Sequence, residues 1–230
     1  MLGFAETAIA DQPEVVPVPT QPLASNVRRL MQALDSLGHP LAAQASQNIA
    51  AAIESESATK IQRALDPHVL AIVSINPEER VSAKRGPAAA RLQQSGYLPT
   101  IVKVLNHSTS TSRLQITSPQ AGPVFAGTAQ LSMQRQQQTN FLENQNTEGS
   151  KERFLGIEVH RDAPMTPQLS GLEVEYAIAL LASSQAGKRE AVMHFDIGDG
   201  TADLEHRNEL PVLLDVQPAI PLKLAITDHD

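Results

Sequence analysis

Several residue types are missing or scarce in this chain of 230 residues. It has no cysteine, which excludes disulfides, thiolate metal ligands, cysteine nucleophiles and iron–sulfur clusters. Aromatic residues make up only 3% and tryptophan is absent, so stacking surfaces for bases or sugars have little to be built from. No apolar run approaches the roughly 18 residues of a membrane-spanning helix. The sequence therefore predicts no membrane span.

The charge balance limits the class of partner. Lys and Arg total 18 against 25 Asp and Glu, which gives a net charge of −7. A general nucleic-acid binder would carry a basic stripe, and a protein held by charge on anionic lipid would need a basic surface. Hydrophobic residues reach 41%, enough for a folded core. We expect a folded protein with no nucleic-acid partner.

Two kinds of periodicity divide the chain. Residues 1–24 hold four closely spaced prolines and predict a flexible, extended segment. Over residues 25–66 apolar side chains recur at helical steps, with Ser25 or Asn26 as N-cap, Gly38 as a helix end and Pro40 at the next helix start. This pattern predicts a helical hairpin followed by a short third helix.

Beyond Pro67 the period changes to the alternation of strands, over residues 67–230. Residues 77–94 read as a loop with an irregular turn, and the Gln/Asn-rich stretch at about 130–150 as a long loop. Pro99 indicates an edge strand. The predicted strands cover residues 69–75, 98–105, 113–117, 154–159, 172–180, 191–197, 210–216 and 222–226. The predicted fold class is mainly β: an antiparallel β-sandwich preceded by an N-terminal α-helical hairpin.

The clearest alternation predicts which strand face is buried. Val174, Tyr176 and Ile178 share one face and predict core positions, whereas Glu173 and Glu175 lie opposite and predict the solvated side.

No combination of residues predicts an active site. The seven histidines show no metal-pair spacing, and the chain has neither a glycine-rich phosphate loop nor a G-x-S-x-G motif. His194 is predicted to lie on the surface or towards the second sheet, and His206 next to Arg207 is the remaining acid–base candidate. The sequence predicts no catalytic, cofactor-binding or metal-ligating residue, no cofactor and no enzymatic activity.

An acidic turn leaves two alternatives open. Asp196, Asp199 and Asp203 surround Gly198 and Gly200 between two predicted strands. Carboxylates in a glycine loop suit a calcium ion, but the spacing is not that of an EF-hand. A tight glycine turn with side-chain caps explains the same residues.

Six strand and turn segments stand out: GLEVEY at 171–176, AGKRE at 186–190, FDIGDGTAD at 195–203, PVLLDVQP at 211–218, VKVLN at 102–106 and LQITSP at 114–119. Together they resemble the N-terminal region of large planctomycete-type bacterial proteins that carry a CehA/McbA-type metallohydrolase domain of the PHP class. The metal-binding histidines of that family lie in its downstream domain and match no position here.

The resemblance implies a non-catalytic accessory or interaction module of an exported metallohydrolase. Its partner would be another protein or a hydrolase domain downstream of Asp230, and its compartment extracytoplasmic or periplasmic, although residues 1–10 lack the basic region of a signal peptide. The alternative is a stand-alone β-sandwich that binds a carbohydrate or cell-surface ligand, with a structural calcium ion.

Overall fold

The computed structural model describes residues 13–121, 153–198 and 208–220. These hold three α-helices, α1 (Thr20–Ser36), α2 (Ala43–Glu54) and α3 (Ala58–Leu65), and a 3-10 turn at Asp66–His68. The nine strands are β1 (Val69–Ile75), β2 (Val81–Arg85), β3 (Arg91–Gln93), β4 (Tyr97–Asn106), β5 (Leu114–Thr117), β6 (Leu155–Val159), β7 (Val174–Ser183), β8 (Gly187–Ile197) and β9 (Glu209–Gln217). The Gln/Asn-rich stretch and the predicted strand at 222–226 lie outside the described residues.

The strands form two mixed sheets, so the mainly β prediction is confirmed and the purely antiparallel one is wrong. One sheet has the order β2-β1-β4-β7-β6 and the other β3-β9-β8-β5. β1 pairs with β4 in parallel, and β3 with β9 in parallel. Between β1 and β4 the chain forms β2 in the same sheet and then β3 in the other sheet. After this crossing β4 runs in the same direction as β1. Alternation in the sequence specifies faces and leaves strand direction open.

Two local predictions are corrected by these strands. Residues 77–94, predicted as loop and turn, contain β2 and β3, which are short and carry charged residues. β4 is a central strand despite Pro99, because its pairing with β1 begins only at Ile101. The proline therefore lies where β1 requires no N–H from it.

Beside β1, a Cβ atom at Gly86 would overlap the carbonyl of Val69, so the backbone approaches too closely there for any other residue.

The helical layer differs from the predicted hairpin. α1 begins at Thr20, ahead of residue 25, so Ser25 and Asn26 lie inside the helix and do not cap it. α2 packs mainly against α3, while α1 packs against β7. The amphipathic pattern located the helices without specifying their neighbours. None of the helices in the described ranges is long and apolar enough to cross a membrane.

Two cores separate three layers. One lies between the sheets and includes Val104, Leu181 and Phe195; the other lies between the helices and the five-stranded sheet and includes Leu30 and Tyr176. The predicted apolar face of β7 is thus buried, but beneath the helices.

Candidate functional site

A buried ion pair links the helical layer to the centre of the five-stranded sheet. Asp66 begins the 3-10 turn that follows α3, and Lys103 lies in the middle of β4 on the face that the helices cover. Lys103 Nζ lies 2.9 Å from Asp66 Oδ2, and the lysine side chain is 0% exposed. The Tyr176 hydroxyl donates to Asp66 Oδ1 over 2.8 Å. We call Asp66, Lys103 and Tyr176 the Asp66 cluster.

Strand register brings the cluster together. Lys103 and Tyr176 are direct partners in the antiparallel pairing of β4 with β7. Their side chains therefore project from the same face, and the ammonium lies 5.9 Å from the centre of the tyrosine ring. Lys103 Nζ also donates to the carbonyl of Glu14 over 2.7 Å. The segment ahead of α1 thus covers the ammonium.

Burial displaces all three titrations of the cluster. Removal from water raises the pKa of Asp66, and the bonds from Lys103 and Tyr176 only partly oppose this. Burial likewise lowers the pKa of Lys103, although Asp66 favours its charged form. Burial raises the pKa of Tyr176 well above its usual value, and the Asp66 carboxylate adds to the rise. For both members of the ion pair, burial favours the neutral form.

Two buried amides complete the hydrogen bonding around the cluster. Asn26 accepts from Tyr176 N over 2.8 Å and donates to the Tyr176 carbonyl over 3.1 Å. Gln62 in α3 makes the same pair of bonds with Val16, at 3.0 and 2.6 Å. Each amide therefore takes the place of a strand partner for one residue of backbone. Gln62 fixes the segment that covers Lys103.

A second buried carboxylate corrects a prediction. Glu175 is 4% exposed and not on a solvated face, because the chain after β6 folds over it. Its oxygens accept from Ser170 N and Oγ at 2.9 to 3.1 Å. Burial raises the pKa of Glu175, opposed by the Ser170 bonds and the charge of Arg29. The adjacent cavity, lined by His160 among others, measures about 20 Å³, which is room for a single water molecule.

The outer surface has an open groove between α1 and α2, of about 420 Å³. Its apolar floor includes Met31, Ile49 and Ile53. Its other lining residues are Arg28, Gln32, Asp35, Ser46, Ala50 and Glu54. We call it the α1–α2 groove.

The residues singled out from the sequence do not assemble into a site within the described ranges. Asp196 lies in β8 opposite Gln115, whereas Asp199, Asp203 and His206 lie outside the described residues. His194 is 30% exposed, with Nε2 3.8 Å from Glu209 Oε1. No group of three or more His, Asp or Glu able to hold a metal occurs in the part of the chain that the structure describes.

The comparisons with known proteins provide no identification. No family model, no curated protein and no solved structure matches this chain.

The sequence analysis did not predict the Asp66 cluster. The one signal for it in the sequence is a lysine enclosed by apolar residues in β4, at Ile101 to Leu105.

Proposed function

We propose that this chain is a non-catalytic interaction module that binds a metallohydrolase domain of the CehA/McbA type, and that it acts outside the cytoplasm. The observation that carries the proposal is the α1–α2 groove, an apolar depression on the outer side of the helical layer. Exposed apolar depressions with a polar rim are typical of protein–protein contacts. The resemblance of the strand segments to the N-terminal region of those hydrolases supplies the partner.

Groove shape favours a helix of the partner as the occupant. The lining residues of α1 recur at three- and four-residue steps from Arg28 to Asp35, and those of α2 do so from Ser46 to Glu54. A groove lined on each side by one helix in this way can accept the apolar side of a third helix. Because the lining includes basic Arg28 and acidic Asp35 and Glu54, a partner helix with both signs of charge would be oriented by them.

A matched pair of helix substitutions tests this function. Ala50 and Ala51 are neighbouring exposed residues of α2, and only Ala50 lines the groove. The reading frame downstream of residue 230 is sequenced, the domain that it encodes is expressed separately, and its affinity is measured by calorimetry. We expect a metallohydrolase domain whose binding is weakened at least tenfold by Ala50→Arg and unchanged by Ala51→Arg. Absence of such a domain, or equal affinity for both variants, would refute the proposal.

Catalytic silence of the isolated chain is the second part of the proposal. Metal-dependent hydrolysis needs clustered ligands that lower the pKa of a bound water. We expect no turnover of phosphodiester, phosphomonoester or ester substrates with zinc, manganese or iron supplied. Turnover that disappears in His194→Ala or His206→Ala would contradict this.

A further inference from the structure

We propose that Lys103 and Asp66 become joined by an amide bond between Nζ and Cγ, which makes an internal covalent crosslink between β4 and the 3-10 turn. The inference rests on the placement of three groups: an amine 2.9 Å from a carboxyl oxygen, and a hydroxyl 2.8 Å from the other oxygen of that carboxyl. It does not depend on the proposed function.

Proximity is the first requirement and the cluster meets it. Lys103 Nζ lies 2.9 Å from Asp66 Oδ2, and Oδ2 is bonded to the electrophilic carbon Cγ. The distance from Nζ to Cγ therefore exceeds 2.9 Å by no more than one C–O bond length. The lysine is 0% exposed and held from a second side by the Glu14 carbonyl at 2.7 Å. Reactants held in this way react as if at about 10⁵ M or more, which is how a slow condensation becomes feasible without activation of the acid.

Protonation state is the second requirement. An amine attacks only as the free base, and a carboxyl group is replaced only as the neutral acid. Burial raises the pKa of Asp66 and lowers the pKa of Lys103, so it favours this pair of neutral forms over the ion pair. The groups that face the pair from neighbouring elements are Tyr176 of β7 and Glu14, whose carbonyl accepts from Lys103 and whose charge, like that of Asp66, favours the ammonium against the effect of burial.

The reaction is a condensation that releases one water. The Lys103 ammonium passes a proton to Asp66 Oδ2, and Nζ then bonds to Cγ as an electron pair moves onto Oδ1. The Tyr176 hydroxyl stabilises that oxygen by its hydrogen bond. As the carbonyl re-forms, the Cγ–Oδ2 bond breaks, and Oδ2 leaves with its proton and a second proton from Nζ. The remaining N–H faces the Glu14 carbonyl.

Such a bond would do for this chain what a disulfide does elsewhere. It joins residues 37 apart in sequence, from the helical layer to a central strand, in a chain without cysteine. A crosslink restricts the unfolded chain and so stabilises the folded one. An amide is also indifferent to reducing agents.

Mass spectrometry of the intact folded protein is the test. We expect the full chain to weigh one water less than its sequence. Trypsin should release a branched peptide in which residues 64–80 are joined to residues 92–113, because an acylated Lys103 is no longer cleaved. The branched peptide also separates this crosslink from a succinimide at Asp199–Gly200, which loses the same water but joins nothing. A folded protein at its full sequence mass would overturn the proposal.

Three variants and one control assign the roles of the three residues in the cluster. Lys103→Arg should restore the full mass, while Lys188→Arg, a control at an exposed position of β8, should not. Asp66→Asn should condense with loss of ammonia and reach the same final mass as the crosslinked wild type, because both give one product. Tyr176→Phe should lower the crosslinked fraction of freshly purified protein, since loss of such a donor slows acyl transfer about 100-fold. A water loss that persists in Lys103→Arg without the branched peptide overturns the assignment.

Discussion

Replacement of Asn26 by alanine tests how the helical layer is attached to the sheet. Asn26 lies in α1, and its amide bonds both backbone groups of Tyr176 in β7. Tyr176 lies beyond the end of the pairing between β6 and β7, because the last hydrogen bond from the β6 side joins His160 N to the carbonyl of Ile178. The amide of Asn26 therefore replaces a missing strand. In Asn26→Ala both backbone groups of Tyr176 would be buried without these bonds.

The magnitude follows from the two groups left behind. A buried polar group that loses its partner costs about 1 to 3 kcal/mol, so the pair should cost about 2 to 6 kcal/mol of the free energy of unfolding. With a urea m-value of about 3 kcal/mol/M for a chain of this size, the unfolding midpoint should fall by about 0.7 to 2 M. Asn26→Asp keeps the acceptor but places a carboxylate oxygen against the Tyr176 carbonyl, and should be no more stable than Asn26→Ala.

Urea titration followed by far-UV circular dichroism measures the effect. Gln32→Ala, at an exposed position of the same helix, is the matched control and should stay within about 0.5 kcal/mol of wild type. If Asn26→Ala and Gln32→Ala unfold at the same urea concentration, the amide does not attach α1 to β7 as described.

Three further predictions concern other parts of the fold. Gln62→Ala should release the segment ahead of α1, seen as faster proteolysis there while the strands remain protected. Burial raises the pKa of Glu175 in the folded state, so the stability that its neutral form contributes is fully present below pH 4.5 and is lost as pH rises through the folded pKa. The difference in melting temperature between Glu175→Gln and wild type should therefore increase over that window. An unchanged difference across pH would contradict it. Gly86→Ala should lower the melting temperature strongly because its Cβ meets the Val69 carbonyl, whereas Gly96→Ala should have little effect; equal melting temperatures would refute the close approach.

The sequence predicted which side of a strand is apolar better than it predicted which element covers that side. Alternation in β7 correctly assigned Tyr176 and Ile178 to a core, but it carries no information on which element covers them. For the same reason Glu175 was placed on a solvated face. Its burial depends on Ser170, whose N–H and hydroxyl reach the carboxylate only once the chain after β6 has turned back. Such coverage is a tertiary property that a two-residue period cannot encode.

The Asp66 cluster was out of reach for a related reason. Asp66 before a proline is an ordinary helix stop, and a lysine in an apolar strand is often a solvated residue at an edge. Only the register that places Lys103 opposite Tyr176, together with the end of α3 above both, makes them one cluster. Strand order in the sheet, and thus the central position of β4, was not deducible because β3 leaves for the other sheet.

The position of β9 has a consequence for how the protein is made. β9 lies between β3 and β8, so residues 91–93 and residues 187–193 of β8 have their strand partner only after residue 217 has been synthesised, whereas residues 194–197 already pair with β5. The five-stranded sheet, by contrast, has all its strands once residue 183 has emerged. During translation the inner face of the five-stranded sheet, which includes Val104 and Leu181, is therefore not covered by the complete second sheet until β9 has been made. That interval exposes apolar surface on the nascent chain and is the stage at which a chaperone would be most needed.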